Sequence, residues 1–226
     1  MMRLIACVSF LGLMACSDAN GHAANQISNQ EQVSNQGTNQ ISNQAANRAQ
    51  AITQPVKSET LTAKWIVDTA KSTLSFSGSQ SGEAFSGTFE RFDSEIVFDP
   101  TDLEHANVTV TIDMNSADAG DTERTDALPG KEWFYTRKFP VAKFEAIAFK
   151  HLSGDNYEAK GSLTIKDISQ NIVLPFTLKI ENGQADMQAE LKVNRSDYKV
   201  GTGMWASEEW VDHDVVVNVH LQASKK

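Results

Sequence analysis

Asp212-His213-Asp214, with Glu208 and Glu209 just before it, is the densest group of metal-binding side chain types in the chain. In an extended strand neighbouring side chains point to opposite faces, so Asp212 and Asp214 turn away from His213 and no metal site is expected. His105, His151 and His220 stand alone and read as surface positions. Arg124 and Arg195 are each followed two residues on by an Asp, Asp126 and Asp197. They could hold a polar headgroup, or pair with that Asp at a rim. There is no Gly-x-Ser-x-Gly elbow, His-Glu-x-x-His pair, phosphate loop or dinucleotide fingerprint, so no catalytic residue is assigned and no enzyme is expected. The remaining chemistry is apolar. Residues 133–144, WFYTRKFPVAKF, hold five aromatics, one Pro and no Gly. That is too apolar for an ordinary surface loop, and it suits a lid or side wall of a barrel that holds a greasy molecule.

The elements that must carry this segment have a period of two. Val108, Val110, Ile112 and Met114 alternate with polar residues, and so do Tyr157 to Ile165, Leu174 to Ile180, Ala185 to Val193 and Val215 to Leu221. Strict alternation marks strands with one buried face, as in an antiparallel sheet. With Thr73 to Ser77, Ala84 to Phe98 and Lys143 to Lys150 this makes about eight strands, several separated by turns such as Ser153-Gly154-Asp155-Asn156 and Glu181-Asn182-Gly183. The expected fold is all-β, an antiparallel barrel of about eight strands with a short helical and aromatic connecting segment. A two-sheet sandwich is the competing architecture. Ala146, Ala148, Ala159, Gly161, Ala185 and Ala189 fall in phase with Phe144, Leu163, Met187 and Leu191. Either they line a tunnel, or Phe85, Phe89, Phe98 and Phe176 swing in and fill the core.

The N-terminal quarter is of another kind. Arg3 is followed by an apolar run, Leu4 to Leu13, too short to cross a bilayer of roughly 30 Å as a helix but suited to a signal peptide. Leu13-Met14-Ala15-Cys16 resembles the lipobox of bacterial lipoproteins, which implies lipidation at Cys16 after removal of residues 1–15. Ser17 in place of Asp implies the periplasmic face of the outer membrane. Residues 16–60 repeat Asn-Gln at Asn25, Asn29, Asn35, Asn39 and Asn43 and read as a tether with a reach of roughly 35–40 Å. With Cys7 and Cys16 both spent, the domain at 61–226 has no thiol and must rest on its core. A net charge of −9 argues against nucleic acid.

Trp65-Ile66-Val67-Asp68 with Ser72, Leu74 and Phe76, then Gly87-Thr88-Phe89, Arg124-Thr125-Asp126-Ala127-Leu128, Phe139-Pro140, Gly161 to Lys166 and Arg195-Ser196-Asp197-Tyr198 follow one another in an order that resembles the YceI-like family. The resemblance implies a lipocalin-like barrel that binds lipid or polyisoprenoid. Lys71 and Ala127 stand where many members have His, and Asp167 where the turn usually has Gly. The wording of Ala127 to Phe134 and Gly203-Met204-Trp205 is similar to members fused to b-type cytochromes, which implies an isoprenoid quinone or polyprenyl lipid as the bound molecule. The expected wall is Phe85, Phe89, Val110, Ile112, Trp133, Phe134, Phe144, Leu163, Phe176, Met187 and Leu191, with Arg124 and Arg195 toward a headgroup. A homodimer is compatible with this reading. So are two other roles: a stress or redox accessory protein, or a structural envelope protein with a solid barrel.

Overall fold

Alternating side chains dictate strands, and hairpin turns with left-handed residues dictate their antiparallel order. The computed structural model describes residues 63–226; the segments read above as signal peptide and tether, with Cys16, lie outside the described residues. Eleven strand segments form one sheet: β1 (Lys64–Val67), β2 (Thr73–Gln80), β3 (Glu83–Phe89), β4 (Phe92–Val97), β5 (Asn107–Asp113) and β6 (Ala117–Asp118), then the long β7 (Val141–Ser153), β8 (Asn156–Ile165), β9 (Ile168–Glu181), β10 (Gln184–Asn194) and β11 (Asp214–Lys225). Among the described residues one short α-helix, α1 (Thr122–Ala127), precedes the aromatic segment.

The short strands join end to end. Ser75 faces Thr88 where β2 meets β3, and Trp65 faces Ile96 where β1 meets β4, so β1–β2 and β3–β4 are two interrupted staves lying side by side. Likewise β5 lies along β4 and β6 along β3. β11 pairs with both β1 and β2 and closes the ring. The result is a closed antiparallel barrel of eight staves, each beside its neighbour in sequence. The two-sheet sandwich is thereby excluded.

Serine hydroxyls bridge the interruptions. Ser116 is 4% exposed; its Oγ accepts from the Arg91 N–H at 3.0 Å and donates to the Asp113 carbonyl at 2.7 Å, tying two breaks together. Ser72 Oγ donates to the Asp68 carbonyl at 2.8 Å and accepts from the Gln222 N–H at 3.0 Å, fastening the first break to β11. Buried main-chain groups released by each break are thus satisfied locally. In the β8–β9 turn both Lys166 and Asp167 adopt positive φ, 52° and 58°, the conformation a two-residue hairpin requires, without glycine.

The barrel has two different ends. The lower end holds the β4–β5 link and two tight hairpins, over an aromatic cluster of Phe98, Phe149, Tyr157 and Phe176 with centroids 5.3–6.2 Å apart. Trp65 Nε1 donates to the Phe98 carbonyl at 2.8 Å and pins that link to β1. Two long connectors, 119–140 and 195–213, cover the upper end. Gly201 and Thr202 donate to the Glu132 carbonyl at 2.7 and 2.9 Å, and Lys166 Nζ donates to the Lys199 carbonyl at 2.6 Å, so both connectors and the β8–β9 turn form one cap.

Candidate ligand cavity

The inward faces of the staves enclose a cavity of about 460 Å³. That volume is within the range of roughly 300–1,000 Å³ typical of small-molecule sites. All eleven residues named from the sequence line it: Phe85, Phe89, Val110, Ile112, Trp133, Phe134, Phe144, Leu163, Phe176, Met187 and Leu191. So do Trp65, Leu74, Phe76, Phe98, Trp205, Val217 and Leu221, which that set omits. Phe85, Phe89, Phe98 and Phe176 do turn inward, yet the space stays unfilled.

The small residues behave differently from expectation. Only Ala159 and Ala185 of the six line the cavity. A register shift between Ala146 and Ala148 marks a β-bulge in β7, and beyond it the phase reverses: Ala148 faces solvent and Phe149 turns inward. Gly161 serves close packing, since a Cβ there would lie 2.1 Å from the Glu145 carbonyl oxygen on β7. Gly87 is similar: its missing Cβ leaves room for the Phe76 ring, which would otherwise be 2.4 Å away.

Polar groups gather at the upper end. Gln80, Asp121, Glu123 and Arg124 line that part, whereas Ser94 is an isolated hydroxyl in the apolar wall. Asp121 caps α1 by accepting from the Glu123 and Arg124 N–H groups, which sets the position of Arg124. The Arg124 guanidinium lies over the Phe85 ring at 5.4 Å, and its Nε donates to the Ala119 carbonyl at 3.4 Å. Among the described residues nothing bonds its two terminal nitrogens, and no Arg124–Asp126 pair forms.

Arg195 departs from both expectations. It is 4% exposed and, among the described residues, pairs with neither Asp197 nor any other acid. Nε donates to the Asp212 carbonyl, Nη1 to those of Val200 and Gly201, and Nη2 to those of Trp205 and Val211, at 2.7–2.9 Å. Five N–H groups meet five carbonyls, which exhausts the guanidinium. Burial pushes its pKa down and pushes that of the neighbouring Tyr198 phenol up. Arg195 is a pin for the 195–213 connector, with no donor left for a headgroup. Its guanidinium carbon also lies 5.8 Å from the Trp133 ring centroid.

The aromatic segment 133–144 divides in two. Trp133 and Phe134 belong to the cap and pack against Trp205 and Phe89, with centroids 5.7 and 6.0 Å apart, while Phe144 already belongs to β7. Trp133 Nε1 is buried with no acceptor in hydrogen-bonding range among the described residues.

Elsewhere the titratable groups form small surface pairs. His213 donates to the Ala206 carbonyl at 2.8 Å and lies 3.1 Å from Glu208, while Asp214 pairs with Lys192. No group of three metal-ligating side chains occurs among the described residues. His220 and His105 are not isolated as expected: they meet Asp186 at 3.0 Å and Asp102 at 2.8 Å.

The YceI-like domain description matches residues 65–223, most of the chain and nearly all of the barrel. The chain belongs to the YceI-like family. Protein YceI of Salmonella arizonae is 29% identical over 132 residues, covering 56% of this chain and 69% of that protein. The crystal structure of Burkholderia cenocepacia BcnA is similar at 32% identity and a TM-score of 0.68, over 70% of this chain and 100% of that one. A polyisoprenoid-binding domain from Saccharophagus degradans, implicated in plant cell wall breakdown, shares the fold at 16% identity and a TM-score of 0.59, over 72% and 98% of the two chains.

Proposed function

We propose that this YceI-like barrel binds an amphiphilic isoprenoid lipid, of the polyprenyl or isoprenoid quinone type, and acts as a carrier or sequestering module in the periplasm, held to the outer membrane through Cys16. The observation that carries the reading is the unfilled cavity of about 460 Å³, apolar along its length but for Ser94, with its other polar groups gathered at the upper end. An extended branched hydrocarbon suits such a space. Its tail would run down toward Phe98 and Phe176, and its polar head would stay near Arg124 and Gln80. Each buried isoprene unit contributes a few kcal/mol at roughly 25 cal/mol per Å², so affinity needs few polar contacts. The polyisoprenoid-binding domain of the same fold supports the ligand class. Arg124, with two terminal nitrogens that have no partner among the described residues, is the headgroup donor in this reading; Arg195 is not.

The test is to purify the full chain with Cys16→Ser from a bacterium and combine native mass spectrometry with organic extraction. A co-purified isoprenoid, or stoichiometric uptake of an added quinone or polyprenol, is the expected result. A protein that arrives empty and takes up neither would overturn the proposal.

A further inference from the structure

The connector between β10 and β11 has two apolar faces. Trp205 and Val211 line the cavity, and their chain neighbours Met204 and Trp210 are 67% and 50% exposed. Nothing in the core requires these two large side chains to be apolar. The loop is nevertheless held firmly: Arg195 gathers five of its carbonyls, the Trp210 carbonyl accepts from the Ser81 N–H at 2.8 Å, and Asp212 N–H donates to the Ser79 carbonyl at 3.0 Å. A pinned loop that turns Trp and Met outward beside a cavity presents a surface, and exposed apolar side chains at such a place mark an interaction site. Tryptophan with an apolar body and a polar edge is the side chain that settles at a membrane–water boundary.

The surrounding charge points to the kind of surface. Glu208 and Glu209 lie on the same loop, and the neighbouring connector, joined to it at the Glu132 carbonyl, carries Lys131, Arg137 and Lys138. Both signs stand at this end, which complements zwitterionic headgroups, while the chain's net charge of −9 disfavours a strongly anionic bilayer. A water-insoluble ligand must also pass between bilayer and cavity, and Trp205 and Val211 in the wall are the chain neighbours of the exposed pair. We infer that residues 203–211 dock the upper end of the barrel on a zwitterionic bilayer, with Met204 and Trp210 entering the headgroup boundary, so that lipid passes into the cavity without crossing water. This rests on the isoprenoid-lipid reading above.

The experiment uses the full chain with Cys16→Ser, so that lipidation cannot mask docking. Uptake of a polyprenol is timed from vesicles of phosphatidylcholine and phosphatidylethanolamine and, separately, from a soluble cyclodextrin complex. Met204→Ser/Trp210→Ser is expected to slow uptake from vesicles about tenfold while leaving uptake from cyclodextrin and the melting temperature unchanged. Ile147→Ser, which removes a 78% exposed apolar side chain from the barrel wall, is expected to change neither. Extraction from vesicles at the wild-type rate by the double variant overturns the docking, as does an equal loss in both assays. A wild-type dimer that the double variant dissociates overturns it too, since a second copy then covers the loop. If wild type takes up no polyprenol from cyclodextrin, the ligand reading fails instead; flotation of wild type and double variant with ligand-free vesicles then decides docking alone, and equal flotation refutes it.

Discussion

Replacing Arg195 with Met keeps the length and apolar stem of the side chain and removes every donor. Three of the five carbonyls it serves, those of Val200, Gly201 and Val211, accept their bonds in buried surroundings; those of Trp205 and Asp212 are partly open and can take water instead. An orphaned buried acceptor costs about 1–3 kcal/mol, so three cost roughly 3–9 kcal/mol before relaxation. Removing a desolvated guanidinium returns part of this, and the connector can loosen to admit water. The expected loss is about 3–5 kcal/mol, in the range for breaking a buried charged network. For a domain of this size that lowers the melting temperature by roughly 10 °C. Arg195→Lys, with three donors on a point charge, should recover less than half. Thermal denaturation followed by circular dichroism measures both variants, with ligand affinity measured well below the transition. A fall of under 2 °C accompanied by a tenfold loss of ligand would refute the pin and return Arg195 to the headgroup.

Three further outcomes are expected of substitutions elsewhere in the barrel. Ala159→Phe places a ring in the cavity from a residue 3% exposed, and should abolish loading in native mass spectrometry while the protein stays folded; full loading would place the ligand elsewhere. Gly161→Ala forces a Cβ against the β7 backbone and should destabilise by about 1–3 kcal/mol in urea titration, with an unchanged midpoint contradicting the close approach. The Asp186 carboxyl is held below its ordinary pKa by hydrogen bonds from His220 and Gln222, so its contribution is complete above about pH 4 and fades as pH falls through the lower folded value. Asp186→Asn should therefore be less stable than wild type at pH 6 and converge with it near pH 2, and a gap that persists in acid would show that the difference is not one of ionisation.

Period-two alternation made the staves legible, because a side chain buried on one face and wet on the other leaves little choice of structure. Counted in phase along their strands, Phe144, Leu163, Met187 and Leu191 all line the cavity. Phase counting fails where the backbone breaks phase. At the bulge in β7 one extra residue sends Ala148 outward and Phe149 inward, and nothing in Phe144-Glu145-Ala146-Ile147-Ala148-Phe149 announces it except a second apolar residue, Ile147, where a polar one was due. Gly161 was equally opaque, because a missing side chain reads as empty space whether a ligand or a neighbouring main chain occupies it. Arg195 is the more instructive case. Read beside Asp197 it suggested a rim ion pair or a headgroup contact, since an arginine near an acid is ordinarily solvated. What decides its role is the connector that follows, nearly twenty residues that meet a strand only at the Val211–Gln80 bridge and so bring many carbonyls with no ladder to join. Those acceptors need donors, and a guanidinium is the one side chain that carries five in a fixed fork. An arginine at the start of a long, irregular, partly apolar link is therefore better read as an answer to the hydrogen-bond demand of that link than as a charge awaiting a ligand.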